Sequence, residues 1–575
     1  MAVFAAIARL FSNVLRLPLL PLWWILRLLA RPRGNWLHVR LRSRVTELSR
    51  PRPFFLSWLP TMARALPTPV AELHRLVDFA AGDPRVRGAI LEIPPLVAGW
   101  AVCASLRDVV ARLRAAGKEV VAYLPQGGGN RELFVASSAS RLLLGPQATL
   151  MVLGLSIESH YFRPLLDRLG VHVRPTAHGE YKTAAENLVR ETMSDAQREQ
   201  LSALLETIQG ELLGAIAALP GMDESSARAL FERGLLRGDE AVAAGIAEAV
   251  CYEDDLPVRL VRGGSPVKLI RAGRYLSFHG RRFFSRVLPR PYVAVVPVHG
   301  PIMSGAAGLG ASGADPDRIA ACLRLARRDR FAVGVVLHVN SPGGSALASD
   351  LIHREVARLK EKKPVVACFG DVAASGGYYV GAAAHAIVAH PVTITGSIGV
   401  VTAKVVAKGL LDKVGIRTEV LRTAPHADMF SVARELSDDE EAILQRETRG
   451  FYEAFVRVVA AGRGRAFDEV EPLARGRVWS GAEAHRRGLV DSLGGLREAV
   501  EEVRSRLTIP EAHKRRVEPR LVRTARTEVP PPEPPAATAA AWAALEVVAP
   551  EAPVLMRLLC AGDRVLYYAV PPRID

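Results

Sequence analysis

The sequence feature that most constrains the fold is an internal repeat. Three pairs of matching segments lie at nearly the same separation: residues 118–122 and 363–367 (offset 245), residues 165–170 and 410–415 (offset 245), and residues 238–245 and 481–488 (offset 243). A shared offset over so long a stretch is not expected by chance, and it indicates a duplicated structural unit. The chain is therefore predicted to be a tandem duplication, with the join near residues 255–289.

Within each copy, apolar runs alternate with helix-type segments. In the first copy, helices are predicted at 71–81 and 104–115 and strands at 88–93 and 119–124. In the second copy, strands are predicted at 293–298, 333–339 and 364–369, and helices at 317–328 and 349–360. Strands that alternate with helices in this way are typical of an α/β fold with parallel strands.

Three glycine-rich segments follow strands of the second copy. They are residues 340–345 (NSPGGS), 370–379 (GDVAASGGYY) and 395–399 (TGSIG). In α/β sheets, sites collect beyond the carboxyl ends of the strands. Ser375 stands between two alanines and two glycines and is predicted to open a helix, so it is the candidate nucleophile. The N–H of Gly376, together with that of Gly343 or Gly344, is the candidate oxyanion hole, because glycine lets the backbone approach a substrate closely.

A serine nucleophile needs a base, and no histidine of the second copy lies in a recognisable triad motif. We interpret these histidines as surface or structural residues: His299, His338, His353, His385, His390 and His426. The repeat indicates a lysine instead. At the offset of 245, Ser375 aligns with Asn130 and Lys182 aligns with Ala427, so each copy lacks what the other has. This predicts one site assembled from both copies, with a buried Lys182 as the base of Ser375. The two partners can come from one protomer or from neighbours.

Composition narrows the classes of site and partner. The five cysteines are scattered, without a CxxC pair or zinc-type spacing, and are interpreted as small buried apolar residues: Cys103, Cys251, Cys322, Cys368 and Cys560. Lys and Arg number 75 against 59 Asp and Glu, a net charge of +16. Such a balance favours anionic partners, and because no nucleic-acid motif is found, a membrane surface is preferred to nucleic acid. No metal or organic cofactor is expected.

The two ends of the chain lie outside the repeat. The uncharged run 17–26, with Trp23 and Trp24, is flanked by Arg16 and Arg27, and it is about half as long as the roughly 20 residues that span a bilayer. We interpret residues 1–34 as a tilted or shallow membrane anchor, in preference to an uncleaved signal-like segment or a soluble helix. The C-terminal tail contains a proline-rich spacer at 530–535 and a largely apolar stretch at 552–570, which docks either on the body or on a membrane.

Four segments together resemble the long, two-domain form of the signal peptide peptidase A family: GDVAASGGY at 370–378, NSPGGS at 340–345, TGSIG at 395–399 and YKTAAE at 181–186. The resemblance covers roughly residues 35–508. It implies a Clp-protease/crotonase-like fold in both halves, with Ser375 as nucleophile, Lys182 as general base and Ser397 as the residue that orients the lysine. It also implies a membrane-bound, bowl-shaped homotetramer that degrades cleaved signal peptides, with apolar residues preferred near the cut.

The expected organisation follows from the repeat and the resemblance. Residues 1–34 form the anchor or signal-like segment, 35–255 a first crotonase-like domain that supplies the lysine, 256–289 a connector, 290–510 a second crotonase-like domain that supplies the serine, and 511–575 the proline-rich tail. The expected location is the bacterial cytoplasmic membrane, with the catalytic body in the periplasm. The arginine-interrupted anchor and the long tail depart from the family pattern.

Two rival functions come from other classes. The same fold serves crotonase-type enzymes that act on acyl-CoA, and fold alone does not fix function. Such enzymes use an oxyanion hole without a serine nucleophile paired with a lysine. The other rival is a catalytically silent membrane scaffold, against which the presence of Ser375, Lys182 and Ser397 argues.

Overall fold

A computed structural model describes most of the chain, in two compact units. The described residues are 2–48, 67–261, 267–280, 283–284, 287, 290–304, 313–514 and 516–522. The first unit comprises Met1–Leu155 and Ile208–Arg290, and the second comprises Ser156–Thr207 and Pro291–Asp575. The predicted spacer at 530–535, the apolar stretch at 552–570 and Cys560 lie outside the described residues.

A six-stranded parallel sheet forms the centre of the first unit. Its strands, in spatial order, are Ala249–Val250, Arg141–Leu144, Glu119–Leu124, Gly88–Glu92, Trp36–Arg40 and Leu269–Arg271. In Gly88–Glu92 and Glu119–Leu124 nearly every residue is buried. Successive side chains of a strand point to opposite faces, so both faces of this sheet are covered, as is usual for parallel sheets.

Short strands and the helices complete the first unit. The remaining strands are Val45–Thr46, Thr68–Pro69, Gly127–Gly128, Thr149–Val152 and Gly234–Arg237. The helices are Ala2–Arg16, Leu20–Leu29, Val70–Ala80, Trp100–Ala115, Asn130–Ala136, Glu224–Arg233, Gly238–Ala243, Leu256–Arg259 and Ala272–Gly280, with a 3-10 turn at Leu17–Leu19. The helices predicted at 71–81 and 104–115 and the strands predicted at 88–93 and 119–124 are therefore present.

The second unit is built on an eight-stranded sheet. A path of six strands runs Val478–Ser480, Ile394–Gly396, Val365–Ala374, Ala332–Ser341, Tyr292–His299 and Glu518–Leu521, with Ala386–Ala389 beside Val365–Ala374 and Ser492–Leu493 beside Ala386–Ala389. Among the described strands of this sheet, only the pair of Val478–Ser480 with Ile394–Gly396 is antiparallel. The apolar runs predicted as strands lie in the centre of this sheet, and their side chains form a continuous core with the neighbouring helices.

The helices of the second unit follow the predicted alternation. They are Arg163–Leu169, Glu186–Val189, Pro316–Arg328, Ala346–Lys360, Gly376–Ala382, Lys408–Lys413, Asp438–Arg463, Phe467–Val470, Gly481–Arg486, Leu496–Ser505 and Glu511–Lys514, with 3-10 turns at Thr183–Ala185 and Glu471–Leu473. Helix Asp195–Ala217 contributes its first part, up to Thr207. The long helix Asp438–Arg463 begins at a capping box between Ser437 and Glu440, with four acidic residues in its first turn that suit the helix dipole.

The segment that carries Lys182 packs within the second unit. Its strand His172–His178 pairs antiparallel with Val400–Val406 through seven residue pairs. Two helices from matching segments of the repeat also approach closely here, Arg163–Leu169 and Lys408–Lys413. A Cβ built on Gly170, which ends the first helix, would lie 2.6 Å from the carbonyl carbon of Gly409 in the second. The sequence repeat placed this segment in the first copy, whereas the contacts place it in the same compact unit as Ser375.

Segments outside the two repeat copies also extend the sheets. The predicted connector 256–289 supplies the strand Leu269–Arg271 to the first sheet, and the start of the predicted tail supplies Glu518–Leu521 to the second. At the N-terminus, prolines open the 3-10 turn Leu17–Leu19 and the helix Leu20–Leu29. Within the described ranges, no helix combines the length and the apolar character needed to cross a bilayer.

Candidate active site

Ser375 lies at a sharp junction between the strand Val365–Ala374 and the helix Gly376–Ala382. Its backbone has φ 53° and ψ −121°, a conformation that L-residues rarely adopt. The N–H of Ser375 donates to the carbonyl oxygen of Gly396 at 2.8 Å, which holds the junction against the neighbouring strand. Strain of this kind costs about 1–3 kcal/mol and is typical of functional positions.

Glycines make the close packing around Ser375 possible. A Cβ built on Gly343 would lie 2.8 Å from Cβ of Ser375 and 2.7 Å from the nitrogen of Gly376. A Cβ on Gly376 would lie 2.4 Å from Oγ of Ser349. Gly343 and Gly344 also have φ of +101° and +150°, which glycine adopts without strain. The predicted loop 340–345 therefore lies directly against the junction at Ser375.

The predicted oxyanion donors differ in how they are engaged. The N–H of Gly343 donates to Oγ of Ser341 at 3.2 Å. In the part of the chain that the structure describes, the N–H groups of Gly344 and Gly376 have no hydrogen-bond acceptor. Of the two loop glycines left open by the sequence, Gly344 is thus the one with a free donor beside Gly376. Two free N–H groups in adjacent loops are what an oxyanion hole requires.

Lys182 and Ser397 surround the hydroxyl of Ser375. The side-chain nitrogen Nζ of Lys182 lies 3.1 Å from Oγ of Ser375, 2.9 Å from Oγ of Ser397 and 3.0 Å from the carbonyl oxygen of Ser397. Only 9% of the surface of Lys182 is exposed. Burial lowers the pKa of Lys182 to about 7, because desolvation disfavours the charged form. The structure therefore brings together the three side chains that the sequence predicted for one site.

Ser397 is held in a strained conformation of its own. Its φ is 50°, in the left-handed region, and its N–H donates to the carbonyl oxygen of Arg477 at 2.7 Å. Both its hydroxyl and its carbonyl oxygen face Nζ of Lys182. Ser397 is thus in a position to fix the direction of the lysine amine.

The segment 475–477 packs against the backbone that carries Lys182. A Cβ built on Gly476, whose φ is +80°, would lie 2.5 Å from the nitrogen of Lys182, and a Cβ on Gly179 would lie 2.4 Å from the carbonyl carbon of Arg475. The N–H of Tyr181 donates to the carbonyl oxygen of Arg475 at 2.9 Å. Sequence reasoning missed this segment, since a single glycine between two arginines carries no motif.

A cavity of about 650 Å³ opens beside Lys182 within the second unit. Its lining combines apolar and charged side chains: Arg163, Pro175, Ala177, Gly179, Glu180, Lys182, Ala185, Glu186, Val189, Arg190, Glu191, Thr192 and Val401. Oε1 of Glu186 accepts a hydrogen bond from the hydroxyl of Ser194 at 2.8 Å. The size of the cavity suits a short stretch of peptide rather than a folded chain.

The histidines of the second copy have other surroundings. The imidazoles of His299 and His338 contact one another, with 2.7 Å between Nε2 and Nδ1, and burial holds the pKa of His338 well below its usual range. His385 accepts a hydrogen bond from the N–H of Val365, and His353 packs on the ring of Tyr379. These contacts agree with structural roles rather than with a base for Ser375.

In the first unit, the position that aligns with Ser375 is built differently. Asn130 begins the helix Asn130–Ala136 and donates from Nδ2 to the carbonyl oxygen of Gly154 at 2.5 Å. The carboxylate of Glu132 accepts from the N–H of Gly129 at 2.7 Å and from the N–H of Leu96. These backbone donors are already engaged by a side chain of the unit itself.

Possible metal ligands cluster at one place in the part of the chain that the structure describes. One group there, His38, Glu92 and Glu253, has atoms close enough to share an ion. The guanidinium of Arg40 bonds to Glu92 at 2.7 Å and also to Glu253, so the carboxylates already have a cationic partner. Of the predicted buried cysteines, the four that the structure describes are buried thiols: Cys103, Cys251, Cys322 and Cys368.

Fold and site together define an α/β protein with a serine on a strained strand-to-helix junction and a buried amine beside it. A family model described as peptidase family S49 matches residues 112–262 and 357–509, once in each copy of the repeat. The chain belongs to this family and is a serine peptidase.

Curated relatives agree with this assignment. The chain is 31% identical over 438 residues to a chloroplastic serine protease SPPA of Arabidopsis thaliana, an alignment that spans 75% of this chain but only 64% of that protein. It is 31% identical to Protease 4 of Salmonella typhi over 75% of this chain and 70% of the relative. A putative signal peptide peptidase SppA of Enterococcus faecium is 36% identical over 33% of this chain and 56% of its own length.

Proposed function

We propose that the chain is a membrane-associated serine endopeptidase in which Ser375 is the nucleophile and Lys182 the general base. The observation that carries the proposal is the distance of 3.1 Å between Nζ of Lys182 and Oγ of Ser375, made by an amine whose burial lowers its pKa to about 7. At neutral pH a large part of such an amine is uncharged and can accept a proton.

The hydrogen bonds of Lys182 suit this role. A neutral amine has two N–H groups and one lone pair. If the two N–H groups donate to the hydroxyl and the carbonyl oxygen of Ser397, the lone pair is left facing the hydroxyl of Ser375. Ser397 then orients the lysine and leaves its basic site free for the nucleophile.

The reaction follows from this arrangement. Lys182 takes the hydroxyl proton as Oγ of Ser375 forms a bond to the peptide carbonyl carbon, and the N–H groups of Gly344 and Gly376 hold the oxyanion. The C–N bond breaks as the ammonium group returns the proton to the leaving amine. Water then attacks the acyl-enzyme, with Lys182 again accepting a proton, and Ser375 is released.

The proposed substrates are cleaved signal peptides and other unfolded, apolar peptides. The proposal rests on the resemblance of the sequence motifs and on the name of the Enterococcus relative. The cavity beside Lys182 is proposed to hold part of the peptide, since it is too small for a folded chain. We place the protein at the bacterial cytoplasmic membrane with its catalytic body in the periplasm, as a homotetramer of Clp-protease/crotonase-like domains.

The N-terminal helices are the proposed membrane contact. Helix Leu20–Leu29 carries Trp24, of which 62% is exposed, and several exposed leucines. Arg9, Arg16 and Arg27 accompany them, and no acidic residue precedes Glu47. Exposed apolar side chains beside cations favour the surface of an anionic bilayer.

A serine-reactive fluorophosphonate tests the proposed nucleophile. The wild-type chain should be labelled at Ser375, Ser375→Ala should not be labelled, and Lys182→Ala should react far more slowly. Peptide mapping of the label identifies the site. Labelling at another residue, or equal labelling of Ser375→Ala, would reject the assignment. Unlabelled wild-type chain that turns over an acyl-CoA would favour the crotonase-type alternative, and an inert chain the scaffold.

A further inference from the structure

A buried glutamine lies behind the site on the helix Asp195–Ala217. Gln200 is 2% exposed and occupies the same helix face as the buried Gln197 and Leu204. Positions three and four residues apart share one face of a helix, and such a buried face is normally apolar. A buried side-chain amide therefore requires partners for both its oxygen and its nitrogen.

The amide of Gln200 finds these partners on both sides of Lys182. Its Nε2 donates to Oγ1 of Thr183 at 2.8 Å and to the carbonyl oxygen of Tyr181 at 3.3 Å. Its Oε1 accepts from the N–H of Val478 at 3.1 Å. One side chain thus binds the residue before Lys182, the residue after it, and a third point on the sheet.

The third partner of Gln200, Val478, lies next to the backbone that binds Ser397. Val478 begins the strand Val478–Ser480, which pairs with the strand Ile394–Gly396 that ends just before Ser397. The residue before Val478, Arg477, accepts the N–H of Ser397 at 2.7 Å. The backbone that carries the lysine is therefore tied through Gln200 to the backbone that carries its orienting serine.

The orientation of the amide is fixed by its backbone partners. The N–H of Val478 can only donate and the carbonyl oxygen of Tyr181 can only accept. The opposite assignment of nitrogen and oxygen in Gln200 would set donor against donor and acceptor against acceptor. The link therefore has one arrangement, as a rigid connection requires.

We propose that Gln200 is a positioning residue, which holds the backbone of Lys182 in register with Ser397 and Ser375. The inference rests on the proposed function, because it assigns Gln200 to the general base of that site. Without the link, Nζ of Lys182 can move relative to Oγ of Ser375, and displacements of about 1 Å in such contacts cost up to about 100-fold in rate.

The test compares Gln200→Met with Gln197→Met in the full chain. Gln197 lies one turn earlier on the same helix, is 7% exposed, and binds the hydroxyl of Tyr161 instead of the lysine loop. Methionine preserves the length of both side chains and removes both sets of hydrogen bonds. Gln200→Met should lower kcat for an unfolded apolar peptide by about 10- to 100-fold with KM nearly unchanged, and should move the pH midpoint of kcat/KM upward as the displaced amine becomes less buried. Gln197→Met should leave kcat and the midpoint close to those of the wild type.

A second variant keeps the test informative if Gln200→Met folds poorly. Gln200→Glu retains the shape and the acceptor for Val478 but loses the donors and adds a negative charge, so the midpoint should move upward further. Thermal unfolding of each variant separates loss of fold from loss of positioning. If Gln200→Met and Gln197→Met lose activity only in proportion to their Tm, with the wild-type midpoint, the inference is overturned. An active Lys182→Ala would instead overturn the proposed function.

Discussion

The pH dependence of turnover provides a quantitative test of Lys182 as the base. Burial lowers the pKa of Lys182 to about 7, whereas an exposed lysine has a pKa of about 10.4. At pH 7.5 about three-quarters of the buried amine is neutral, against about 0.1% of an exposed one. Burial therefore enlarges the fraction of usable base by about 600-fold. We expect kcat/KM to rise tenfold per pH unit below the midpoint and to level off above about pH 8.

The assay is the initial rate of cleavage of a quenched-fluorescent, leucine-rich peptide between pH 5 and 9.5. Lys182→Arg is the informative variant, because a guanidinium keeps its charge throughout this range. It should lose at least about 1000-fold in kcat/KM, at the strong end of what general bases contribute. Mutation of His353, which is half-buried and lies near the ring of Tyr379, should leave the midpoint unchanged.

Two results would refute the reasoning. A midpoint near 10 would mean that the amine is as solvated as an ordinary lysine, in conflict with its burial. Retention of more than about a hundredth of the activity in Lys182→Arg would show that another group takes the proton of Ser375, since general bases contribute at least about 100-fold.

Three further predictions concern the lysine, the glycine behind it and the N-terminus. Between about pH 7 and 10.4 the unfolded chain binds a proton on Lys182 that the folded chain does not. The stability of the wild type should therefore increase with pH, and its Tm should rise relative to that of Lys182→Met from about pH 7 to 9.5. Parallel Tm curves for the two proteins would contradict this. Gly476→Ala places a Cβ 2.5 Å from the backbone nitrogen of Lys182 and should lower kcat/KM at least about 10-fold. The control is Gly415→Ala, at a glycine with a similar φ of +77° and open space around it, which should leave kcat/KM near the wild-type value. Deletion of residues 1–34 should release the protein from membranes in a flotation assay without changing cleavage of a soluble peptide; equal membrane retention would place the anchor elsewhere.

The elements of both sheets could be predicted because their signals are local. The helix predicted at 71–81 is Val70–Ala80, and the strand predicted at 119–124 has those bounds in the structure. A few neighbouring residues are enough to predict a buried strand where an apolar run is flanked by amphipathic segments. The strand predicted at 364–369 extends to Ala374, because its last residues continue as a second ladder with Ile394–Gly396 beyond an irregularity in the first.

The contact between Lys182 and Ser375 was foreseen from the complementary losses in the repeat, but its structural basis was not. The lysine reaches the serine because His172–His178 pairs with Val400–Val406, strands far apart in sequence and without a shared motif. Non-local pairing leaves no periodic signal in either strand. Gln200 had a weak signal, a polar residue on the apolar face of a helix, but only the structure shows that its partners flank the lysine.

The two copies of the repeat differ in how backbone N–H groups near the aligned position are engaged. In the second unit, residue 377 is Gly, and the N–H groups of Gly344 and Gly376 remain without an acceptor in the part of the chain that the structure describes. In the first unit, the aligned residue is Glu132, whose buried carboxylate accepts N–H groups from Gly129 and Leu96. A carboxylate that satisfies these donors stabilises the loops, because unpaired buried N–H groups are costly. The second unit keeps its donors free at a cost in stability, as expected of a site that must offer them to a substrate.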